Sequence, residues 1–262
     1  MSSRTVLLDI SSSIAVVTLN RPDAANAMNL ALLEELAEAL LECDESPHVR
    51  SIILTGSGRF FSAGGDLSAF AGDLDRLPYF LKQLTLHLHA AVSRITRMRQ
   101  PVIAAVNGPA AGAGMALAAA CDHVIAADTS NFTIAYTAAG LSPDGASTWA
   151  LPRRIGPGRT RELMLTNRRL SAPEALEWGL ANEVVAANAL PARADTLARQ
   201  FAAGPTQAFG AVKTLLAGSA TNSLETQMEL EARAIADTAR TADAREGIDA
   251  FLNKRRPDFT GA

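Results

Sequence analysis

The chain is poor in cysteine, has no excess of positive charge and contains no long apolar run, and each shortage excludes a class of protein. Two cysteines among 262 residues cannot build a disulfide framework, so a reducing cytoplasm is the expected compartment. No unbroken apolar run approaches the roughly 18 residues of a membrane-spanning helix, and no signal peptide is expected. The net charge of -3 disfavours nucleic-acid binding, which usually needs a basic surface.

Motifs for nucleophilic and metal-dependent catalysis are also missing. Neither a G-x-S-x-G sequence nor a phosphate-loop lysine motif occurs. The four histidines lack metal-ligand spacing, and His87 and His89, on one predicted helix, cannot face the same way. We therefore expect neither a metal ion nor a separate cofactor.

The stretch around which the chain is organised runs from residue 102 to residue 122. The apolar run Val102–Val106 is typical of a buried strand, and residues 107–109 end it. Gly112 and Gly114 then open a run of small, helix-favouring residues. The first N–H groups of a helix have no intrahelical partner, so this turn can hold a phosphate or a developing oxyanion. Close packing is the commoner reason for such small residues, and this pattern alone leaves both interpretations open.

Another glycine turn lies earlier in the chain, after a different apolar strand; it is the first glycine turn, and the turn at Gly112 and Gly114 is the second. Residues 51–55 (SIILT) are followed by FFSAGGDL at 60–67, which places Gly64 and Gly65 just after the strand. If both strands belong to one sheet, the two turns lie side by side. Each turn can then supply one N–H group to the same oxygen atom.

Asp144 is the acidic residue that remains as a candidate for chemistry. It lies in the sequence Ser-Pro-Asp-Gly, directly before a predicted helix. The simplest interpretation is an aspartate that forms a turn or caps the helix. The alternative is an acid–base residue against an apolar wall of Leu141, Ala146 and Trp149.

Apolar runs and helical spacing alternate along the chain, which predicts an α/β fold with parallel strand pairing. The expected strands are 6–10 and 14–19, which form a hairpin, then 51–55, 102–106, 123–127, 132–135 and 183–185. Beyond Pro157 every element except 183–185 is expected to be helical. The chain is therefore divided into a mixed core, 1–190, and a helical C-terminal region, 191–262. Residues 66–78 are expected to form an irregular loop that closes a pocket together with a helix at 79–99.

Segments spread over nearly the whole chain together resemble the crotonase family, also called the enoyl-CoA hydratase/isomerase family. They are LNRPDAANAMN, FFSAGGDL, AAVNGPAAGAGMALAAACD, GLSPDGASTWALPRRIG, SAPEALEWGLANEVV and REGIDAFLNKRRPDF. The likeness is greatest to the branch of the 1,2-epoxyphenylacetyl-CoA isomerases and Δ3-Δ2 enoyl-CoA isomerases. The resemblance implies a crotonase-like α/β fold, a spiral of ββα units with a helical C-terminal trimerisation region. It also implies a homotrimer or homohexamer in fatty acid and lipid metabolism.

The resemblance further implies an acyl-CoA thioester as substrate, with coenzyme A as part of that substrate and not a cofactor. The oxyanion hole would consist of the backbone N–H groups of Gly65 and Ala113. Lys254 is equally well explained as a solvated surface charge, because FLNKRR carries three cations together. The residues implied to contact coenzyme A are Asp23, Ala24, Ala25, Ala63, Asp66, Leu67, Phe251 and Lys254.

Two departures from the family pattern favour isomerisation over hydration. Hydratases of the family use two glutamates, and here the corresponding positions hold Ala116 and Tyr136, which are expected only to line the substrate pocket. Isomerases place their single acid at the position of Asp144, which is therefore expected to be the catalytic acid–base residue. The resemblance thus predicts an acyl-CoA isomerase acting through a thioester enolate. The alternatives are a hydratase with an unrecognised second group, and a catalytically silent homologue that binds CoA esters.

Overall fold

The computed structural model describes residues 4–70 and 74–262, and its described elements alternate as the sequence predicts. The strands are β1 (Val6–Ser11), β2 (Ile14–Leu19), β3 (Ser51–Gly56), β4 (Val102–Val106), β5 (Ala110–Ala111), β6 (His123–Ala127), β7 (Asn131–Thr133), β8 (Leu170–Ser171) and β9 (Glu183–Val185). The helices are α1 (Leu30–Glu45), α2 (Leu77–Arg97), α3 (Ala113–Ala120), α4 (Ser147–Thr166), α5 (Ala172–Trp178), α6 (Leu190–Ala202), α7 (Thr206–Ser219), α8 (Leu224–Thr238) and α9 (Ala242–Leu252). No helix in these described stretches is long and apolar enough to cross a membrane.

The main sheet has six strands in the order β1-β2-β3-β4-β6-β9. The predicted hairpin of β1 and β2 is confirmed as the antiparallel pair, and Ser12 and Ser13 take φ values of 50 and 66 in its turn. Such positive φ values at both central residues match the twist of the flanking strands. From β2 to β9 the neighbouring strands are parallel, as the alternation of strands and helices predicts.

Both faces of this sheet are covered, which explains the continuous apolar run of β4. Val102, Ala104 and Val106 belong to a core cluster that includes residues of α1, α2 and α3. Ile103 and Ala105 point to the opposite face, where they join a second cluster with residues of α6. A strand buried on both faces has no polar positions, because successive side chains alternate between two packed layers.

Three short strands form a second sheet, which the sequence did not predict in full. Its order is β5-β7-β8. The expectation that 183–185 is the one strand beyond Pro157 is wrong, because Leu170–Ser171 pairs with β7. The predicted strand at 132–135 is instead Asn131–Thr133. Two-residue strands carry no periodic pattern, so apolar spacing cannot detect them.

Helix α6 begins where the sequence composition changes and packs against the main sheet. Helices α7, α8 and α9 follow it. The division at residue 190 into two regions stays a prediction. Of the predicted loop at 66–78, Leu67–Phe70 and Leu74–Arg76 form short 3-10 turns, and residues 71–73 lie outside the described residues.

Candidate active site

A cavity of about 110 Å³ lies between the two glycine turns, α2 and the segment that precedes α4. One side is a leucine wall, which consists of Leu81, Leu84 and Leu88 of α2. Tyr136 and Asp144 supply the only ionisable side chains among the described residues that line it. The predicted site residues that line the cavity are Ala63, Gly65, Leu67, Ala113, Tyr136 and Asp144.

The backbones of the two glycine turns are in close contact. The contact is possible because the residues at these points are glycines, which have no Cβ atom. A Cβ atom on Gly64 would lie 2.7 Å from the Ala111 oxygen and 3.3 Å from the Ala113 nitrogen. A Cβ atom on Gly114 would lie 2.5 Å from the Ser62 oxygen. Side chains at either glycine would push the turns apart. The close contact brings the turn that carries Gly65 directly against the start of α3.

The N–H groups of Gly65 and Ala113 are both free to bind a ligand. Met28 forms a bridge to the first turn, in which its N–H donates to the Gly64 oxygen at 2.7 Å and its oxygen accepts from the Asp66 N–H at 3.1 Å. The Gly65 N–H therefore points away from Met28. Ala113 is the first residue of α3, so its N–H has no intrahelical acceptor. Within residues 4–70 and 74–262 neither N–H donates a hydrogen bond.

The Asp144 side chain faces Tyr136 and does not cap α4. The N-cap residue of α4 is Ala146, which makes no side-chain cap, and Asp144 contributes only its backbone oxygen to the Ser147 N–H at 3.0 Å. The interpretation of Asp144 as a helix-capping side chain is therefore wrong. Instead, Asp144 Oδ1 accepts a hydrogen bond from the Tyr136 hydroxyl.

The Tyr136 hydroxyl is a permanent hydrogen-bond donor in this setting. Burial raises the pKa of Tyr136 well above its ordinary value, and the neighbouring Asp144 carboxylate raises it further. The phenol therefore stays protonated wherever the carboxylate is ionised. No local sequence pattern predicts this contact, and the resemblance implies only that Tyr136 lines the pocket.

The segment that contains Asp23, Ala24 and Ala25 lies beside the first glycine turn. It forms a 3-10 turn, Pro22–Ala24, and the Ala25 oxygen accepts a hydrogen bond from the Ala63 N–H at 3.0 Å. Ala63 itself lines the cavity. The structure thus places these predicted contacts at the edge of the site, without bringing Asp23, Ala24 or Ala25 into its lining.

Three other predicted contacts lie away from the cavity. Ala116 is fully buried, and its Cβ lies 3.2 Å from the position that a Cβ on Gly145 would take. Phe251 lines a different groove, formed with α8 and α9. Lys254 is exposed beyond the end of α9. Within one chain, Phe251 and Lys254 are therefore not part of the cavity that contains Asp144.

Asp66 forms an ion pair with Arg21, a residue that no sequence motif indicates. Arg21 Nη1 lies 2.8 Å from Asp66 Oδ2, and the Ser68 hydroxyl donates to Asp66 Oδ1 at 2.5 Å. Arg21 also donates to the Ala27 oxygen at 2.5 Å. These contacts fasten the first glycine turn to the segment before α1. Asp66 therefore holds its neighbour Gly65 in place and is not among the residues that line the cavity.

Substituting Asp66→Asn should loosen this turn. We expect a loss of about 1–3 kcal/mol in the free energy of unfolding, because the Arg21 guanidinium loses its charged partner in a half-buried setting. Denaturant unfolding measures this loss. The matched control is Asp237→Asn, which breaks the exposed ion pair with Arg240 and should leave stability unchanged. Equal effects of the two variants would contradict the assigned role of Asp66.

Among the described residues, no group of three or more His, Cys, Asp or Glu side chains is placed to hold a metal ion. The chemistry available in the cavity is therefore carried by backbone N–H donors, one carboxylate and one phenol. Such a set can stabilise an oxyanion and move a proton.

Comparison with known proteins places this site in context. The family model described as enoyl-CoA hydratase/isomerase matches residues 9–262. The chain is 40% identical to 1,2-epoxyphenylacetyl-CoA isomerase of Escherichia coli K12 over 257 residues, which cover 98% of each chain. It is 41% identical over 261 residues to a probable enoyl-CoA hydratase of Rhodobacter capsulatus, and the alignment covers 100% of both chains.

A solved structure confirms the predicted crotonase-like α/β fold. The crystal structure of enoyl-CoA hydratase from Bacillus anthracis superposes with a TM-score of 0.91 at 34% identity and covers 98% of this chain and 100% of that one. Similar proteins thus carry names of both an isomerase and a hydratase.

Proposed function

Because the chain belongs to the enoyl-CoA hydratase/isomerase family, we propose that it is an acyl-CoA isomerase with Asp144 as its acid–base residue. The reaction is the shift of a carbon–carbon double bond, or the rearrangement of a ring epoxide, through a thioester enolate. The observation that carries the proposal is a single carboxylate that shares one apolar cavity with two free N–H donors, those of Gly65 and Ala113.

The double-bond shift follows from these groups. Asp144 takes a proton from C2 of a 3-enoyl thioester, and the electron pair moves onto the thioester oxygen. The N–H groups of Gly65 and Ala113 stabilise the resulting enolate; in other enzymes, loss of one such donor costs roughly 10²–10³ in rate. Asp144 then returns the proton to C4, the C3–C4 double bond becomes single, and a C2–C3 double bond forms. Proton transfer of this kind needs no cofactor, and coenzyme A takes part only as a portion of the substrate.

The surroundings of the cavity support isomerisation over hydration. Adding water requires a group that orients and deprotonates it, together with a proton source for the α carbon. Asp144 is the only carboxylate among the described residues that line the cavity. Ala116 is fully buried and Tyr136 is engaged with Asp144, so neither replaces a second glutamate.

The size and the lining of the cavity favour a substrate with a compact, apolar acyl group. Its volume of about 110 Å³ is somewhat smaller than the roughly 150 Å³ of an engineered cavity that binds benzene. The leucine wall, together with Met28 and Leu33, offers the acyl group no polar partner. A short chain or a single ring therefore suits the site better than a long fatty acyl chain.

A product screen tests the proposed function. The protein is incubated with a panel of 3-enoyl-CoA esters and with a ring-epoxide aryl-CoA ester, and the products are separated by chromatography. We expect 2-enoyl-CoA or the rearranged ring product, and no 3-hydroxyacyl-CoA. Formation of the 3-hydroxy product would instead establish a hydratase, which the name of the Rhodobacter relative suggests. Binding of the esters without turnover would establish a silent homologue.

We also propose that the protein assembles as a homotrimer, or as a homohexamer made from two trimers, through residues 191–262. Large apolar side chains of α8 and α9 are exposed in the single chain, among them Ile235, Ile248 and Phe251. Phe251 is 82% exposed and lines an open groove. Exposed apolar patches of this kind mark surfaces that a partner covers.

Ile235→Asp combined with Ile248→Asp should dissociate the assembly. Two charges placed on the apolar groove disfavour its burial in an interface, so the mass in solution should fall to that of one 27.5 kDa chain. Light scattering coupled to size-exclusion chromatography measures the mass. Leu165→Asp, an equally exposed residue on α4, is the control and should leave the mass unchanged. A wild-type mass equal to one chain would contradict the proposed assembly.

The cytoplasm is the compartment that we propose. Cys43 and Cys121 are free and buried. Burial raises the pKa of each thiol to about 12, so both stay protonated and unreactive near neutral pH.

A further inference from the structure

We propose that Tyr136 is the positioning residue for Asp144: its hydroxyl holds one carboxylate oxygen, so that the other oxygen alone serves the acyl group. The inference deepens the proposed isomerase function and rests on it. The contact that motivates it is the hydrogen bond from the Tyr136 hydroxyl to Asp144 Oδ1. Both residues line the same cavity.

Tyr136 is itself firmly held, which allows it to orient another residue. Its backbone oxygen accepts hydrogen bonds from the N–H groups of Ala139 and Leu141, each at 3.0 Å. Its ring lies against the second glycine turn, since a Cβ on Gly112 would be 3.9 Å from the ring. Gly112 directly precedes Ala113, which carries one of the two N–H donors. The Tyr136 ring therefore links the carboxylate to the turn that binds the thioester oxygen.

The hydrogen bond from Tyr136 is the sole fixed contact of the Asp144 carboxylate within the described residues. Leu141, Ala139 and the leucine wall surround the carboxylate with apolar groups. Without the phenol, the side chain could rotate and present either oxygen to the cavity. With Oδ1 engaged, Oδ2 receives the proton from C2 and is the atom that returns it to C4. Preorganisation of this kind lowers the reorganisation needed in each proton transfer.

The arrangement also predicts the fate of the transferred proton. Tyr136 remains a donor at working pH, because burial and the Asp144 carboxylate raise the pKa of its hydroxyl. Because the phenol is already protonated, it cannot take the proton from the acid form of Asp144. No other titratable side chain lines the cavity among the described residues. A proton held on Oδ2 is thus returned to the same substrate molecule before it exchanges with water.

Tyr136→Phe tests the inference, because it removes one hydroxyl and keeps the ring. The substrate is a 3-enoyl-CoA ester that carries deuterium at C2. We expect kcat to fall by roughly 10- to 100-fold, with KM within about twofold of its wild-type value. We also expect the wild type to place most of the transferred deuterium at C4 of the product, and the variant to lose much of it to water. Mass spectrometry of the product measures this retention.

The chain provides a matched control, because Tyr79 is its only other tyrosine. Tyr79 is exposed on α2, and its hydroxyl accepts a hydrogen bond from Gln83 Nε2 at 3.3 Å. Tyr79→Phe should leave kcat and the deuterium retention unchanged. In the Tyr79→Phe background, replacement of tyrosine by 3-fluorotyrosine then changes Tyr136 alone. The fluorinated hydroxyl is a stronger donor, so the deuterium retention should persist.

The outcomes separate the two proposals. If the wild type isomerises none of the esters, the proposed function fails, and the role of Tyr136 fails with it. If the wild type is active and Tyr136→Phe matches it in kcat and retention, the positioning role alone is overturned. If Tyr136→Phe does not fold, the 3-fluorotyrosine protein decides, because a loss of deuterium retention despite the stronger donor overturns the inference.

Discussion

Replacing Asp144 with asparagine or alanine is expected to lower kcat for isomerisation by about 10³-fold or more, at the upper part of the range for removal of a general base. Asparagine is the more informative change, because its side-chain oxygen can still accept the Tyr136 hydroxyl hydrogen bond but cannot take a proton. Binding of the CoA ester should persist in both variants, since the N–H groups of Gly65 and Ala113 remain in place. The rate is measured as 2-enoyl-CoA formation and the affinity by calorimetry.

Asp9→Ala serves as the control for the loss of an aspartate, because Asp9 is exposed on β1 and far from the cavity lining. It should retain the wild-type rate. Isomerisation at the wild-type rate in Asp144→Asn would place the base elsewhere and remove the basis of the proposed chemistry. A loss of ester binding that matches the loss of rate would instead indicate that the cavity has collapsed.

Gly64→Ala is the second change for which we expect a large effect, a fall in kcat of roughly 10²–10³, as for loss of one oxyanion donor. The new Cβ would lie 2.7 Å from the Ala111 oxygen and 3.3 Å from the Ala113 nitrogen, so the two glycine turns must separate. Once they separate, the Gly65 and Ala113 N–H groups should no longer bind one thioester oxygen as proposed. Steady-state kinetics measures the fall, which should appear in kcat more than in KM.

The control for this change is Gly156→Ala. Gly156 also has a positive φ, 79 against 91 for Gly64, but a Cβ there would meet no atom within 4 Å. Both variants therefore carry a backbone penalty, which for Gly156, at φ 79 and ψ 158, is about 1–3 kcal/mol. Only Gly64→Ala should impair catalysis. Equal kinetic effects of the two would mean that general destabilisation, and not separation of the turns, lowers the rate.

Much of the fold was predictable because its strands are buried on both faces and its helices carry regular apolar spacing. Continuous apolar runs alone predict the strand Val102–Val106 and the two hairpin strands on either side of Ser12 and Ser13. Asn29 lies directly before α1, where asparagine favours the start of a helix, and its side chain accepts from the Leu32 N–H at 3.0 Å. In each case a local pattern determines the element, so no knowledge of distant residues is needed.

The contacts that shape the site were less predictable, because they join residues far apart in the sequence. The ion pair of Arg21 with Asp66 spans 45 positions, and neither residue carries a local sign of its partner. The hydrogen bond of Tyr136 with Asp144 spans only 8 positions, yet it depends on the path of the turn between them. Leu84 and Leu88 are spaced as on one face of α2, but helical spacing does not distinguish a core position from the wall of a cavity.

The leucine wall and the paired N–H donors belong to different parts of the chain. Leu81, Leu84 and Leu88 lie on α2, whereas the donors lie in two turns that are locked together through Gly64 and Gly114. Substitutions along one face of α2 can therefore alter this wall of the cavity without changing the two turns. This separation makes α2 the place to begin directed evolution toward new acyl chains, because the residues proposed to stabilise the enolate lie outside α2 and stay unchanged.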